Sequence, residues 1–157
     1  MAETPCEDAA LSVRRSAGFS WQAPFSRKEL ALILRAMRGA AGLAAMPLEL
    51  TLVDDASIAE TNLTYLDCPG PTNILSFPPY AGFGPGLGTG SPGTGLLLVS
   101  LDALARESYL YGQDLAGHTL RLLAHGMAHL AGYDHGAAMD ALADVIFAAG
   151  ARALEGR

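Results

Sequence analysis

Three of the chain's four histidines fall in one short segment, His125-Gly-Met-Ala-His129-Leu-Ala-Gly132-Tyr-Asp-His135. Imidazole is the commonest metal-ligating side chain, and residues four apart share a helix face. A helix through this segment would therefore aim His125 and His129 at one ion. Gly132 suits the left-handed turn that ends a helix, and the reversed chain can bring His135 to the same ion. The spacing His-x3-His-x2-Gly-x2-His is that of a three-histidine zinc site. Structural zinc is normally closed by four protein ligands, often cysteines. Three neutral imidazoles with no cysteine close by leave one position for water, whose pKa zinc lowers towards neutrality. The expectation is a catalytic site holding one zinc ion per chain.

The residue types around the histidines narrow the chemistry. A metallopeptidase of this spacing carries a glutamate after the first histidine as general base. Gly126 occupies that position and can do no acid–base work, so a zinc peptidase is disfavoured. Asp134 can replace that base or orient an imidazole from behind. His118 lies seven residues before His125, about two turns up the same face. It reads as a fourth ligand, a proton carrier or an ordinary histidine of an amphipathic helix.

Several elements must position this segment. Ser26-Arg-Lys-Glu29 is a capping box opening a helix that ends near Gly39 or Gly42. Pro47–Val53 alternates apolar and polar residues, as a half-buried strand does. Asp54 or Asp55 caps a short helix running to about Tyr65. Cys68-Pro-Gly-Pro71 is a turn, and Asn73–Phe77 is a short strand stopped by Pro78-Pro79. Residues 81–95 are rich in glycine and proline and read as a flexible insertion. Leu96–Ser100 is an apolar run suited to a buried strand. Helical patterns follow at about 101–112, 115–131 and 137–154. Strands mixed with helices, then helices alone, predict an α+β single domain over 1–157.

The bulk numbers agree with one ordinary domain. The chain has 157 residues, of which 50% are hydrophobic and 17% charged, enough to bury a sizeable core. Met1–Ala9 is polar and acidic without the basic start of a signal peptide, and no apolar run is long enough to span a bilayer. A cytoplasmic protein is expected, with Cys6 and Cys68 as free thiols. The net charge of −6 argues against a general nucleic-acid binder; no DNA partner is expected. A local basic stretch, Arg27, Lys28, Arg35 and Arg38, spreads over the polar side of its predicted helix, either as a solvated face or as a ridge that steers RNA.

The segment His125–His135 resembles the signature of the YbeY family, metal-dependent endoribonucleases that mature ribosomal RNA. Gly126 is that family's usual residue. Asn62-Leu-Thr-Tyr65 with Pro71-Thr-Asn-Ile-Leu-Ser-Phe-Pro78 is similar to its second motif, and the resemblance runs from about residue 48 to 154. It implies a zincin-like fold, with a small mixed sheet packed by helices and the metal site on a helix of the C-terminal half. It also implies a zinc-dependent, single-strand-preferring endoribonuclease acting in 16S 3′-end maturation and ribosome quality control, with ribosomal RNA or the ribosome as partner. His125, His129 and His135 would hold the metal, and Asn73 and Ser76 would offer polar contacts to substrate. Two positions depart from the family pattern. Leu66 replaces an arginine that the resemblance implies would meet the RNA phosphate, and Leu96 replaces an aspartate. Both charges are missing together, as expected if they pair with each other. A hydrolase of another substrate and a low-activity, metal-binding ribosome-associated factor are the alternative readings.

Overall fold

A computed structural model describes residues 11–15, 23–79 and 93–155. Met1–Ala9, Cys6 and most of the glycine-rich 81–95 stretch lie outside the described residues. The elements in chain order are β1 (Leu11–Arg15), α1 (Arg27–Ala40), β2 (Leu48–Val53), α2 (Asp55–Leu66), β3 (Ile74–Phe77), β4 (Gly95–Ser100), α3 (Leu101–Leu110), α4 (Leu115–Leu130) and α5 (Ala137–Ala153). Gly95, placed by sequence in the loop, is the first residue of β4, where it pairs with Leu48.

The sheet order is β1-β2-β4-β3. The first two pairings are parallel, and β3 runs antiparallel to β4 at one edge, with Ile74 opposite Val99 and Phe77 opposite Leu96. Strand periodicity divides the apolar residues between two faces. Leu97 and Val99 of β4 join Leu48, Leu50 and Leu52 of β2 in the main core with α1, α4 and α5. Leu96 and Leu98 point the other way, into a smaller cluster with Val53, Ile58, Leu75 and Phe77, against which Tyr65 of α2 packs.

The burial of β2 corrects the reading of Pro47–Val53 as half-buried. Alternation marks the two faces of β2, but the strand lies between β1 and β4 and nearly all its residues are buried, so even Glu49 is only 2% exposed. Its carboxylate lies 3.7 Å from Arg14 on the neighbouring β1. That strand was not read from the sequence, because Leu11-Ser-Val-Arg-Arg15 is too short to display a period among polar neighbours.

The helix starts follow local chemistry. Ser26 accepts from the Glu29 N–H, and the Glu29 side chain accepts from the Ser26 N–H, closing the expected capping box. Asp54, the nearer of the two proposed caps, accepts from Ser57, and this bond holds its carboxyl below the usual range. Within α1 the basic residues separate. Arg27 and Lys28 are exposed, but Arg38 is buried and donates from Nη1 to the Met46 carbonyl at 2.9 Å. The chain folds back over the end of α1, and the guanidinium satisfies a carbonyl in that turn. Arg38 therefore does not belong to a solvated face.

Candidate metal centre

α4 carries the first two histidines. Asp114 caps its start by accepting from Gly117 N–H, and most of its residues are buried against the sheet, α1 and α5. His125 and His129 lie one turn apart on its partly exposed side. The helix then ends as the sequence predicts. Gly132 adopts φ +93°, its N–H reaches the His129 carbonyl at 2.9 Å, and Tyr133 N–H reaches that of Ala128 at 3.2 Å. The reversal carries His135 back over the helix end.

The three imidazoles meet. Each offers a ring nitrogen, and these nitrogens lie within 4.8 Å of one another. Ring centroids are 4.7 Å apart for His125–His129, 5.5 Å for His125–His135 and 5.2 Å for His129–His135. An ion with nitrogen bonds of about 2.1 Å closes such a triangle with small side-chain rotations. His129 Nδ1 is 3.1 Å from the Tyr133 backbone carbonyl. A carbonyl only accepts, so Nδ1 carries the proton and Nε2 presents its lone pair. The oxygen that orients this ring is thus a main-chain carbonyl one residue before Asp134. Burial holds His125 below the usual histidine range, and the two neighbouring imidazoles act in the same direction. Both effects favour its neutral form, the one that ligates. This donor set fits a divalent metal.

A cleft of about 590 Å³ opens beside the histidines, lined by His125, His129, Gly132, Tyr133 and Asp134 on one side and by residues 72–76 and Pro78 on the other. Asn73 and Ser76 are both on that wall. Ser76 Oγ also donates to the Gly126 carbonyl at 3.1 Å. Here β3 crosses α4 so closely that a Cβ on Gly126 would stand 2.6 Å from Ile74 Cδ1 and 3.0 Å from Leu97 Cδ2. The glycine in the peptidase-base position therefore has a packing reason: the side-chain ends of Ile74 and Leu97 and the Ser76 hydroxyl lie where a side chain would start, and they would have to shift to admit one.

His118 belongs to none of this cluster. Its Nε2 is 2.9 Å from Glu107 on α3, so it is not a fourth ligand of the triad. Glu107 was missed from sequence: it meets His118 across the turn between α3 and α4, and no helical period links the two. Leu66 ends α2 at 44% exposure and is not among the residues lining the cleft. Leu96 is 5% exposed in the smaller apolar cluster.

Fold and site together define a zincin-like α+β domain with three imidazoles gathered at the end of one core helix. Within that class, a family model described as "Endoribonuclease YbeY" matches residues 22–151, and the chain belongs to the YbeY family. It is 46% identical over 134 residues to a protein named endoribonuclease YbeY from Nitratidesulfovibrio vulgaris, covering 78% of this chain and 83% of that one. Relatives of the same name occur in Oleidesulfovibrio alaskensis (41% identity, 78% and 82% covered) and Lawsonia intracellularis (42%, 76% and 82%). Among solved structures, the solution structure of TM1509 from Thermotoga maritima has the same fold. Its TM-score is 0.58 at 16% identity, covering 89% of this chain and 88% of the other. No helix among the described residues is long and apolar enough to cross a membrane.

Proposed function

We propose that this protein is a zinc-dependent, single-strand-preferring endoribonuclease of the cytoplasm. Its substrate is ribosomal RNA, in 16S 3′-end maturation and ribosome quality control. The observation that carries this reading is the three-imidazole cluster beside a cleft with no carboxylate base at Gly126, in a chain whose relatives are named endoribonucleases.

His125, His129 and His135 are the residues that would hold the metal. When bound, a zinc ion supplies Lewis acidity and brings the pKa of an attached water towards neutrality. The Tyr133 carbonyl holds the His129 Nδ1–H, which leaves Nε2 as the nitrogen that would ligate the metal. Gly126 supplies no carboxylate of the kind that peptide hydrolysis requires, and the close packing there disfavours one. Asn73 and Ser76 offer an amide and a hydroxyl along the wall where a strand of RNA lies.

The direct test is hydrolysis of single-stranded RNA and of casein, with and without chelator. RNA cleavage abolished by chelator and restored by zinc is expected, with no proteolysis. Casein hydrolysis lost in His125→Ala would instead identify a peptidase.

The neutral residue at position 66 bears on rate. Deleting one transition-state cation costs orders of magnitude in phosphoryl transfer, and Leu66 supplies none. Because Leu66 lies outside the residues that line the cleft, Leu66→Arg is expected to raise RNA cleavage, by about tenfold or roughly 1.4 kcal/mol, only if its long guanidinium reaches the RNA beyond the cleft wall. Leu96→Asp alone buries a carboxylate among Phe77, Leu75 and Ile58 and should melt early. The double variant should recover part of that loss if the two charges pair. Initial rates and melting temperatures of all four proteins decide it. An unchanged rate in both arginine variants places residue 66 outside the working site, and additive melting shifts remove the pairing.

A further inference from the structure

Asn73 enters β3 on the cleft wall, and its side-chain amide is held from two sides. Oδ1 accepts from the Ile74 backbone N–H at 2.8 Å. Nδ2 lies 3.2 and 3.3 Å from the two carboxylate oxygens of Glu107 on α3. These partners remove the ambiguity an amide ordinarily has, because a backbone N–H only donates and an ionised carboxylate only accepts. Glu107 is braced in turn. His118 Nε2 on α4 is 2.9 Å from its Oε1, and Gln113 Oε1 is 3.2 Å from the other ring nitrogen. The imidazole and the carboxylate are only 12% and 20% exposed. The Asn73 main chain is also fixed, since its carbonyl accepts from Ser100 N–H at 3.0 Å.

A primary amide has two N–H bonds. One is directed at Glu107, which leaves one for whatever occupies the cleft. We propose that Glu107, braced by His118, is a positioning residue that locks Asn73 as a one-way hydrogen-bond donor to an acceptor oxygen of the bound RNA strand. Released from Glu107, the amide is held only through the Ile74 N–H at its oxygen, and its donor end is no longer aimed or polarised. A network of ion, imidazole and amide also polarises its members, strengthening the donor at its end. The identity of the occupant rests on the RNA-cleaving reading; the locking of Asn73 rests on the geometry alone.

Two readouts test this on the full chain loaded with zinc. The first is the dissociation constant for a short, single-stranded 2′-O-methyl oligoribonucleotide, which resists cleavage. Asn73→Ala and Glu107→Ala are each expected to weaken binding by about tenfold, as loss of one charge-assisted hydrogen bond does. The double variant should be no weaker than Asn73→Ala alone, because Glu107 acts through Asn73. Glu107→Gln, whose amide oxygen still accepts, should bind nearly as wild type. His118→Ala, the second variant should Glu107→Ala fold poorly, should weaken binding only while Asn73 is present. The second readout is the proton exchange of the Asn73 side-chain amide by NMR, assigned from its disappearance in Asn73→Ala. Slow exchange of one proton in wild type, lost in Glu107→Ala or His118→Ala, is expected. Additive losses in the double variant, or an Asn73 signal indifferent to Glu107, overturn the positioning role. A wild-type protein that binds no oligomer overturns the RNA reading, and the amide signal then decides the positioning alone.

Discussion

Gly126→Glu is expected to cripple the fold rather than create a peptidase, although it completes the His-Glu-x-x-His pattern of one. A Cβ at this position meets Ile74 Cδ1 at 2.6 Å and Leu97 Cδ2 at 3.0 Å. Overpacking of a filled core costs about 1–3 kcal/mol. The rest of the glutamate then enters the seam between α4 and β3, where burial of an unpaired carboxylate adds several kcal/mol more. A combined loss of about 4–5 kcal/mol is a large part of the roughly 5–15 kcal/mol that holds a domain together. At about 2–4 °C per kcal/mol for a chain of this size, the melting temperature should fall by about 10–20 °C. Gly126→Ala isolates the steric part, and alanine's advantage of about 1 kcal/mol in a helix interior offsets some of its cost. Thermal melts of the three proteins check this. A Gly126→Glu variant that melts like wild type would falsify the packing account.

The other large effect is expected at His129. In His129→Ala the zinc content should fall from about one per chain to near zero, and RNA cleavage should drop by about a thousandfold or more, since a triad reduced to two ligands no longer holds the ion that the reaction depends on. Zinc at one hundred times its dissociation constant stabilises a protein that binds it only when folded by about 2.7 kcal/mol. Wild type should therefore melt higher with zinc than with chelator, and His129→Ala should melt alike in both. Metal analysis and paired melts measure this. Full zinc occupancy in the variant would remove His129 from the site.

Legibility from sequence tracked how local each interaction is. The clustering of the three histidines could be read because they lie within two helical turns and a glycine reversal, so spacing alone constrains them. The caps at Ser26 and Asp54 are equally local. Strand β1 was lost because five residues carry too little pattern. The burial of Glu49 and Arg38 was lost because each depends on a neighbour supplied by another part of the chain: β1 beside Glu49 and the Met46 carbonyl beyond the end of α1. Glu107, His118 and Asn73 form a network only once three elements are packed together. Gly126 was legible as a missing base but not as a packing requirement, which takes Ile74 and Leu97 to see.

The centre and its cleft also differ in when a folding chain can make them. All three histidines proposed to hold the metal lie between residues 125 and 135, a loop whose closure costs little entropy. Ser76, which ties the opposite wall to the helix, is 50 residues away from its partner Gly126. An emerging or partly unfolded chain can thus capture the ion with little more than the end of α4 and its turn, long before β3 docks. Such early capture gives the unfolded ensemble a share of the metal affinity, and the stabilisation measured on adding zinc should fall short of the ceiling for a site that exists only when folded. On the proposed reading, metal content would then report on one corner of the molecule, and a chain could carry the ion while the opposite wall of the cleft is still unmade.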